Sequence, residues 1–520
     1  MKTQLTILRN GSSTCVRTGP EHGRQPVLAP LIRILCAAGF VLSAFAAQAG
    51  VIFTSLYSFT GTNDGANPQA ALVQGSDGYL YGTTYYGGTN GAGTVFKIST
   101  NGVFTSLYSF TGTNDGANPE AALVQGSDGY LYGTTYYGGT NDDGNDGTVF
   151  RICSNGALTT LYSFGSVKDT NYFNTPLDGA NPNGLVQGSD GYFYGTTQSG
   201  GTNGNEFGGF GTIFKISTNG VLTTLYSFGL APYTYTNVTL DGAFDGSFPV
   251  AGLVQGSDGY FYGTTAGGGT NGDCGTVFRI STNGVFTSLY SFTGGNDGAN
   301  PEAALVQGSD GYFYGTTGDV GGYDFGTVFK ISSNGSLTTL CGFENFEGIY
   351  PSGLIQGSDG NFYGTTRDDS FFNAPLGRGY VFKITTDGAF TNLYHLGSDG
   401  GIHYGNYGIN NPVAGLVQGS DGSYYGTIYD GGLDGNEYGN GTVFRLTIVP
   451  EPQLTIIPFG PYVILTWPTN SFAFTLQSST DIGSSANWNT NSPAPVVIGG
   501  QNVVVNPITG SQMFFRLANP

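Results

Sequence analysis

Charge is scarce in this chain, and positive charge is the scarcer sign. Only 10% of the 520 residues are charged, with 16 Lys and Arg against 35 Asp and Glu, so the net charge is −19. So few charges exclude a coiled coil and a highly charged disordered chain. The lack of Lys and Arg also excludes nucleic acid as a partner, because non-specific binding to phosphates depends on those residues.

Histidine, cysteine and the common enzyme motifs are rare as well. The chain has three His and five Cys, and no Gly-x-Ser-x-Gly, His-Glu-x-x-His, Cys-x-x-Cys or phosphate-binding loop. The acidic segment 141–146 resembles a calcium loop, but Ile152 stands where an EF-hand needs Glu. We therefore predict no catalytic residue, no metal and no cofactor.

A leader segment is indicated by the first 49 residues. They carry five cations and one carboxylate, and the apolar run 34–47 is followed by Ala47-Gln48-Ala49. That run is shorter than the roughly 20 residues of a membrane helix, and its small-x-small ending is typical of a signal-peptidase site. We predict a Sec signal peptide over residues 1–49, cleaved after Ala49, and a secreted or cell-surface protein with no membrane span. An uncleaved anchor is the alternative.

What the chain has in abundance is glycine, tyrosine and phenylalanine, arranged in a repeat. The string Tyr-Gly-Thr begins at Tyr81, Tyr132, Tyr194, Tyr262, Tyr314, Tyr363 and Tyr425. Each copy follows Gly-Ser-Asp-Gly and precedes a Gly-x-Val/Ile-Phe segment. Within the first copy, strands A (71–74) and B (79–84) flank an Asp-Gly turn, and strands C (94–99) and D (103–110) flank Asn101-Gly102, a strong hairpin signal.

Two hairpins repeated every 50 to 68 residues or so are typical of the four-stranded blade of a propeller. The region after the leader opens with a D-type strand at 51–59, and the seventh copy stops after its C strand at 442–448. We therefore predict an all-β fold over residues 50–449, a seven-bladed β-propeller closed by the N-terminal strand. An open β-solenoid is the rival, but it has no use for a displaced terminal strand.

These motifs carry a family resemblance. The segments 252–265 and 275–280 resemble the GloVer (Gloeo/Verruco) tandem repeat of secreted bacterial proteins, and all seven copies hold both motifs. Copies six and seven depart in part, with Tyr380 in place of Thr and His395 in place of Ser. The resemblance implies an exported, propeller-like repeat protein and no particular activity.

Beyond residue 449 the composition changes, with four prolines between 450 and 461 and no further repeat motif. We predict a small C-terminal β-sandwich over residues 450–520, similar to immunoglobulin or fibronectin type III modules, with Trp467 and Trp488 in its core. We expect the whole protein to be a monomer.

Loop lengths indicate where a ligand binds. The A–B and C–D turns are uniform, whereas every insertion falls in the B–C and D–A connections, which share one face of a propeller. Variable loops on a rigid scaffold are typical binding surfaces. Our candidate ligand-binding residues on that face are Glu206, Phe207, Phe210, Tyr233, Tyr235, Phe244, Tyr323, Phe371, Phe372 and Tyr438. The alternative is that these rings bind no ligand and pack their loops against the rim of the propeller.

The leading functional prediction is an exported, non-catalytic repeat propeller that acts as an extracellular binding scaffold for carbohydrate or protein. The alternative is a secreted glycoside-active enzyme that uses loop carboxylates such as Glu206, Asp245, Glu344 and Glu437. Two sets of charges are expected to be structural. A proline lies shortly before each A strand, and we call it the pre-A proline. The carboxylates that precede it, such as Asp64, should accept hydrogen bonds from their own turns. The seven C-strand cations should pack their aliphatic stems between blades and place their charged heads on carboxylates.

Overall fold

The computed structural model describes residues 2–10, 13–21, 50–141, 146–169, 175–203, 209–229, 245–318, 325–343, 349–367, 379–396, 414–431, 439–449, 453–469, 474–481, 487–490, 494–507 and 513–518. These residues form strands, turns and loops without a helix, so the protein is all-β. Two compact units result: one comprises 53–447, and the other 1–52 with 448–520. In the described part of the chain no helix is long and apolar enough to cross a membrane.

The first strands along the chain are β1 (Lys2–Asn10), β2 (Ser13–Glu21) and β3 (Gly50–Ser58). The described residues of the repeat region then form seven antiparallel sheets. Sheets 1 and 2 contain β4 (Val73–Gln74), β5 (Leu80–Thr84), β6 (Thr94–Ile98), β7 (Phe104–Ser109), β8 (Val124–Gln125), β9 (Leu131–Thr135), β10 (Thr148–Ile152) and β11 (Leu158–Ser163). Sheets 3 and 4 contain β12 (Ala180–Pro182), β13 (Val186–Gln187), β14 (Phe193–Ser199), β15 (Thr212–Ile216), β16 (Leu222–Ser227), β17 (Val254–Gln255), β18 (Phe261–Thr265), β19 (Thr276–Ile280) and β20 (Phe286–Ser291).

The remaining repeat strands complete sheets 5 to 7. Sheets 5 and 6 contain β21 (Val306–Gln307), β22 (Phe313–Thr317), β23 (Thr327–Ile331), β24 (Leu337–Gly342), β25 (Ile349–Pro351), β26 (Ile355–Gln356), β27 (Phe362–Arg367), β28 (Tyr380–Ile384) and β29 (Phe390–His395). Sheet 7 contains β30 (Val417–Gln418), β31 (Tyr424–Ile428) and β32 (Thr442–Val449), and β3 pairs with β32 as its fourth strand. The first strand of the repeat region therefore belongs to the last sheet.

The recurring motifs are explained by contacts inside each sheet. The Tyr81 hydroxyl donates to Asp77 Oδ2 at 2.7 Å, so the tyrosine of Tyr-Gly-Thr holds the aspartate of the preceding Asp-Gly turn. A Cβ on Gly82 would lie 2.6 Å from the Phe96 ring, so glycine is required where the C-strand phenylalanine packs. The three motifs are thus parts of one packing unit.

Neighbouring sheets are joined by a reciprocal pair of hydrogen bonds. At the junction of sheets 1 and 2, Ser76 N donates to Gln125 Oε1 at 2.9 Å and Gln125 Nε2 donates to Ser76 Oγ at 3.1 Å. The same pair joins sheet 7 to sheet 1, where Ser420 N donates to Gln74 Oε1 at 2.8 Å and Gln74 Nε2 to Ser420 Oγ at 3.3 Å. Residues 346 apart in sequence therefore repeat a contact made between successive sheets.

The C-strand cations also bridge sheets, but their partners differ from the expected carboxylates. Lys97 Nζ donates to the Ser154 carbonyl at 3.2 Å, and Arg445 Nη1 to the Thr100 carbonyl at 3.3 Å. The carbonyl oxygens of the C–D turn of the next sheet lie within reach of the charged head group, so the cation bonds backbone and not a carboxylate. Lys97 also lies 5.0 Å from the centre of the Tyr79 ring, a cation–π contact.

The second unit contains β33 (Thr455–Phe459), β34 (Tyr462–Pro468), β35 (Thr475–Ser479), β36 (Val496–Ile498), β37 (Gln501–Pro507) and β38 (Met513–Ala518). The strand orders are β33-β34-β37-β36 and β1-β2-β38-β35. Trp467 is buried in a core to which both sheets contribute, whereas Trp488 is half-buried with Arg516 4.2 Å from its ring centre. Within the predicted signal peptide 1–49, β1 and β2 belong to the sheet of β38 and β35, whereas the apolar run 34–47 lies outside the described residues.

The pairing of β3 with β32 generates a testable prediction. Phe59, directly after β3, is fully buried in a cluster with Leu72, Phe96, Tyr425 and Val443, drawn from sheets 1 and 7. Phe59→Ala should lower the unfolding free energy by about 3–5 kcal/mol, the usual cost of deleting a buried phenylalanine ring. Urea unfolding followed by tyrosine fluorescence measures this loss.

Phe110→Ala is the matched control, because Phe110 has the same place after the D strand of sheet 1 and is equally buried. The two variants should lose similar stability. A near-neutral Phe59→Ala beside a costly Phe110→Ala would show that the terminal strand does not complete sheet 7.

Candidate binding site

Nine of the ten predicted ligand-binding residues lie outside the described part of the chain: Glu206, Phe207, Tyr233, Tyr235, Phe244, Tyr323, Phe371, Phe372 and Tyr438. The tenth, Phe210, is half-buried and packs edge-on against Phe248, with ring centres 6.1 Å apart. Its backbone carbonyl also accepts a hydrogen bond from Phe248 N. The described geometry of Phe210 is therefore that of a packed ring at a sheet junction.

The carboxylates before the pre-A proline are turn residues, as expected. Asp64 accepts hydrogen bonds from the Tyr57 hydroxyl at 2.9 Å and from Thr60 N at 2.8 Å. Asp245, one of the acids considered for glycoside chemistry, likewise accepts from the Tyr226 hydroxyl at 2.7 Å. Four described carboxylates make the same bond to a D-strand tyrosine besides Asp64: Asp115, Asp178, Asp245 and Asp297. Each closes its own D–A loop.

At two positions of the repeat the residue type differs from copy to copy. The residue after the pre-A proline differs between copies and is Gln69, Glu120, Asn183, Val250, Glu302 or Ser352 in the described ones. The residue that follows the Thr-Thr (or Thr-Ile) of each B strand also differs and is Tyr85, Tyr136, Gln198, Ala266, Gly318, Arg367 or Tyr429. No recurring contact of the scaffold dictates these side chains.

Both sets converge on the place where the sheets meet. A cavity of about 870 Å³ is lined by residues from each of the seven described sheets, including Glu120, Tyr136, Gln198, Arg367 and Tyr429. A second cavity of about 370 Å³ adjoins it along the A strands. Six residues line both cavities and so mark their common boundary, four of them polar or charged: Gln69, Glu120, Glu302 and Arg367, with Ala122 and Ala304. We call the residues that line the larger cavity the central site.

Glu120 is the most perturbed acid of the central site. Burial raises the pKa of its carboxyl from 4.5 to about 7. The negative charge of Glu120 in turn contributes to the raised pKa of Tyr85 and of Tyr136, although burial is the larger cause for both. Asp430, also in the site, has its pKa raised to about 6 by burial. The site therefore holds two carboxyls that titrate near neutral pH.

The polar groups of the central site are only partly paired with each other. The Tyr136 hydroxyl donates to Gln198 Oε1 at 2.6 Å, and Asn67 Nδ2 donates to Asp430 Oδ1 at 3.3 Å. Arg367 Nε is buried and has no hydrogen-bond partner among the described residues. Such a group costs free energy unless a ligand or water satisfies it.

No metal centre occurs in the described residues, where no three His, Cys, Asp or Glu side chains are grouped as ligands. Cys153, Cys274 and Cys341 form no disulfide within that part of the chain. The described site accordingly offers carboxyl, amide, phenol and guanidinium groups as its chemistry.

Seven sheets built on one recurring motif define an all-β tandem-repeat protein. The chain belongs to the Gloeobacter/Verrucomicrobia repeat family, whose family model matches residues 39–177 and 231–411, more than half of the 520 residues. This confirms the resemblance drawn from the motifs. No curated protein matches the sequence.

Solved structures are similar only at low identity. The chain aligns with a protein assigned as the extracellular domain of a hybrid two-component system from B. thetaiotaomicron at 13% identity and a TM-score of 0.44, covering 90% of this chain and 55% of that one. This chain thus spans about half the length of that protein. A luciferin-regenerating enzyme aligns at 12% identity and a TM-score of 0.37, over 76% of this chain and 95% of that one. A protein of unknown function from Dyadobacter fermentans aligns at 12% identity and a TM-score of 0.39, over 77% of this chain and 99% of that one. None of these similarities carries an argument about activity.

Sequence reasoning placed the ligand in the long loops and missed Glu120, Arg367 and Asp430. The signal was present in the positions that vary between copies. Two positions differ in residue type between copies: the one after the pre-A proline and the one after Thr-Thr. The segments around them repeat almost unchanged. Variation within a constant motif, and not loop length alone, marks these residues.

The raised pKa of Glu120 predicts a pH-dependent stability. The folded state holds the proton more tightly than the unfolded state, so this carboxyl lowers the unfolding free energy as pH rises from about 4.5 to about 7. Glu120→Gln should therefore stabilise the protein at pH 8 by about 1–2 kcal/mol, after allowance for partial solvent screening, and have little effect near pH 4.5. Urea unfolding at both pH values measures the difference.

Glu302→Gln is the control for that measurement. Glu302 occupies the same place in an identical octapeptide, 300–307 against 118–125, but its side chain is exposed. Its substitution should change stability little at either pH. Equal effects of the two variants would contradict the assignment of the burial penalty to Glu120.

Proposed function

We propose that this chain is an exported, non-catalytic scaffold that binds extracellular carbohydrate or protein on the face formed by its B–C and D–A connections. Its repeat region is, in this proposal, a seven-bladed β-propeller closed by β3, followed by a C-terminal β-sandwich. The protein acts as a monomer after removal of residues 1–49, a cleavage that takes β1 and β2 out of their sheet and leaves β38 paired with β35.

One observation carries the proposal. The side chains that recur in every copy are engaged in holding the sheets, as the Tyr81–Asp77 and Ser76–Gln125 bonds exemplify. Most of the described residues that differ from copy to copy line the central site instead. A scaffold with constant joints and a copy-specific polar cavity fits recognition of a ligand.

The wider binding face includes the variable loops. In the proposal, Glu206, Phe207, Phe210, Tyr233, Tyr235, Phe244, Tyr323, Phe371, Phe372 and Tyr438 extend the central site outwards. Exposed Tyr86, which is 46% accessible and packs edge-on against Tyr85, belongs to the same rim. Aromatic rings among amide and hydroxyl groups suit sugar faces and peptide side chains alike.

A glycoside-active enzyme is the second candidate, favoured by one specific feature. A carboxyl with a pKa near 7, such as that of Glu120, can donate a proton at neutral pH, and Asp430 supplies a second acid in the same cavity. The loop acids first considered give less support, because Asp245 is engaged in its turn.

Arrays of glycans and of extracellular proteins, probed with the purified full chain, test the binding proposal. We expect a restricted set of ligands, and Tyr86→Ala should weaken their binding about tenfold, as is common for an exposed aromatic contact. Tyr312→Ala is the control, because Tyr312 is 40% exposed at an A–B turn, on the uniform face.

Two results would count against the proposal. Blank arrays of both kinds would remove the binding function, and equal loss in both tyrosine variants would move the binding site off the variable face. Release of product from chromogenic glycosides by the full chain, abolished in Glu120→Gln, would establish the enzyme instead.

A further inference from the structure

Two identical octapeptides place their glutamates in different surroundings. Residues 118–125 and 300–307 both read Asn-Pro-Glu-Ala-Ala-Leu-Val-Gln, yet Glu120 is half-buried and Glu302 is exposed. The difference must come from neighbouring sheets. Near Glu302 the B strands of sheets 4 and 5 are followed by Ala266 and Gly318, whose small size leaves room for solvent.

Around Glu120 the neighbours are aromatic. Its charge acts on the hydroxyls of Tyr85, Tyr136 and Tyr429, which directly follow the B strands of sheets 1, 2 and 7. Tyr136 and Tyr429 line the central site together with Glu120. We call these three rings the tyrosine arc. The rings of Tyr136 and Tyr429 therefore share a cavity with the carboxyl of Glu120, so one ligand can contact both kinds of group.

No cation of the described residues pairs with Glu120. It makes no ion pair and no hydrogen bond with a described residue, and the protein's cations are mostly held elsewhere. At the sheet junctions six of them bond backbone carbonyls: Lys97, Arg151, Lys215, Arg279, Lys330 and Arg445. A partly desolvated carboxylate beside aromatic faces attracts a cation, both by charge and by cation–π interaction.

Other unpaired groups in the same cavity show that more than a bare cation would fit. Gln198 Oε1 accepts from Tyr136, and among the described residues neither Gln198 Nε2 nor the buried Arg367 Nε has a hydrogen-bond partner. Both side chains line the central site. These donors require acceptors on the ligand, which sugar hydroxyl and ring oxygens supply and which an aliphatic amine lacks. The volume of about 870 Å³ is large enough for a short oligosaccharide.

We propose that the central site binds an amino-sugar oligosaccharide, with a free ammonium group held by Glu120 and the tyrosine arc and with sugar oxygens accepting hydrogen bonds from Gln198 and Arg367. This inference rests on the proposed binding function and specifies its ligand class. The net charge of −19 also favours the approach of a cationic ligand.

Calorimetric titration of the full chain with a glucosamine tetramer and with its fully N-acetylated counterpart tests the inference. The two probes differ in charge and share the sugar backbone. We expect the glucosamine tetramer to bind at least about tenfold more tightly, because one charge-assisted hydrogen bond in a partly desolvated site has that effect. Glu120→Gln should abolish the preference while leaving the folded structure intact, since Gln69 occupies the equivalent position in sheet 1.

Asp387→Asn is the matched control. It removes the same unit of charge at an exposed C–D turn, where sister copies carry Asn101 or Asn219. This variant should keep the tenfold preference for the glucosamine tetramer. Loss of the preference in both variants would show that it comes from the overall charge of the protein, and would overturn the inference.

A third probe, tetralysine, separates the sugar from the amine. Binding of tetralysine as tight as that of the glucosamine tetramer would make a basic peptide the ligand and overturn the amino-sugar assignment. Equal binding of both sugar tetramers would also overturn it, yet would support carbohydrate recognition as the proposed function. Failure of all three probes overturns this inference alone, since only blank glycan and protein arrays remove the proposed function.

Discussion

Among the described residues of the 53–447 unit, the hydrophobic clusters lie between sheets and not within one sheet. Each buried cluster combines side chains of two neighbouring sheets, as when Val95 and Phe110 of sheet 1 pack with Leu131 and Phe150 of sheet 2. A sheet is therefore stable only with a partner on each side, and a linear row would leave two aromatic faces in water. The cluster of Phe59, Phe96 and Tyr425 buries the apolar faces of the first and last sheets against each other. The terminal strand, the junction hydrogen bonds and the glycines that admit phenylalanine rings all serve this one requirement.

That requirement separates the residues into two groups. Those that hold adjacent sheets must recur in every copy, because each junction has the same geometry. Those that line the central site make no contact that recurs at every junction, and they are free to differ, as the set Gln69, Glu120 and Glu302 illustrates. The second group lowers the stability of the fold, because Glu120 and Asp430 are half-buried acids whose ionisation opposes folding. The stability of seven similar junctions allows the centre to keep such groups.

Much of the architecture could be predicted because turn chemistry is local. Asp-Gly and Asn-Gly sequences specify the hairpins, and the displaced D-type segment at 51–59 could be assigned to sheet 7 by counting motifs. The role of Asp64 also followed from its own turn. The environment of Glu120 could not be predicted, because an identical octapeptide surrounds exposed Glu302. What distinguishes them lies on other sheets. Carbonyl partners of the cations were missed for the same reason, since Lys97 reaches the turn of the next sheet.

The position of β3 has a consequence for the order in which the protein acquires structure. Its partner β32 is the last strand of the repeat region, so a ribosome must release nearly all of residues 53–447 before this sheet can form. Contacts between such distant segments form slowly, and the earlier sheets lack one neighbour until then. A nascent chain of this kind therefore exposes incompletely covered aromatic faces until its last strand has been synthesised, and such faces are the ones that favour aggregation during folding.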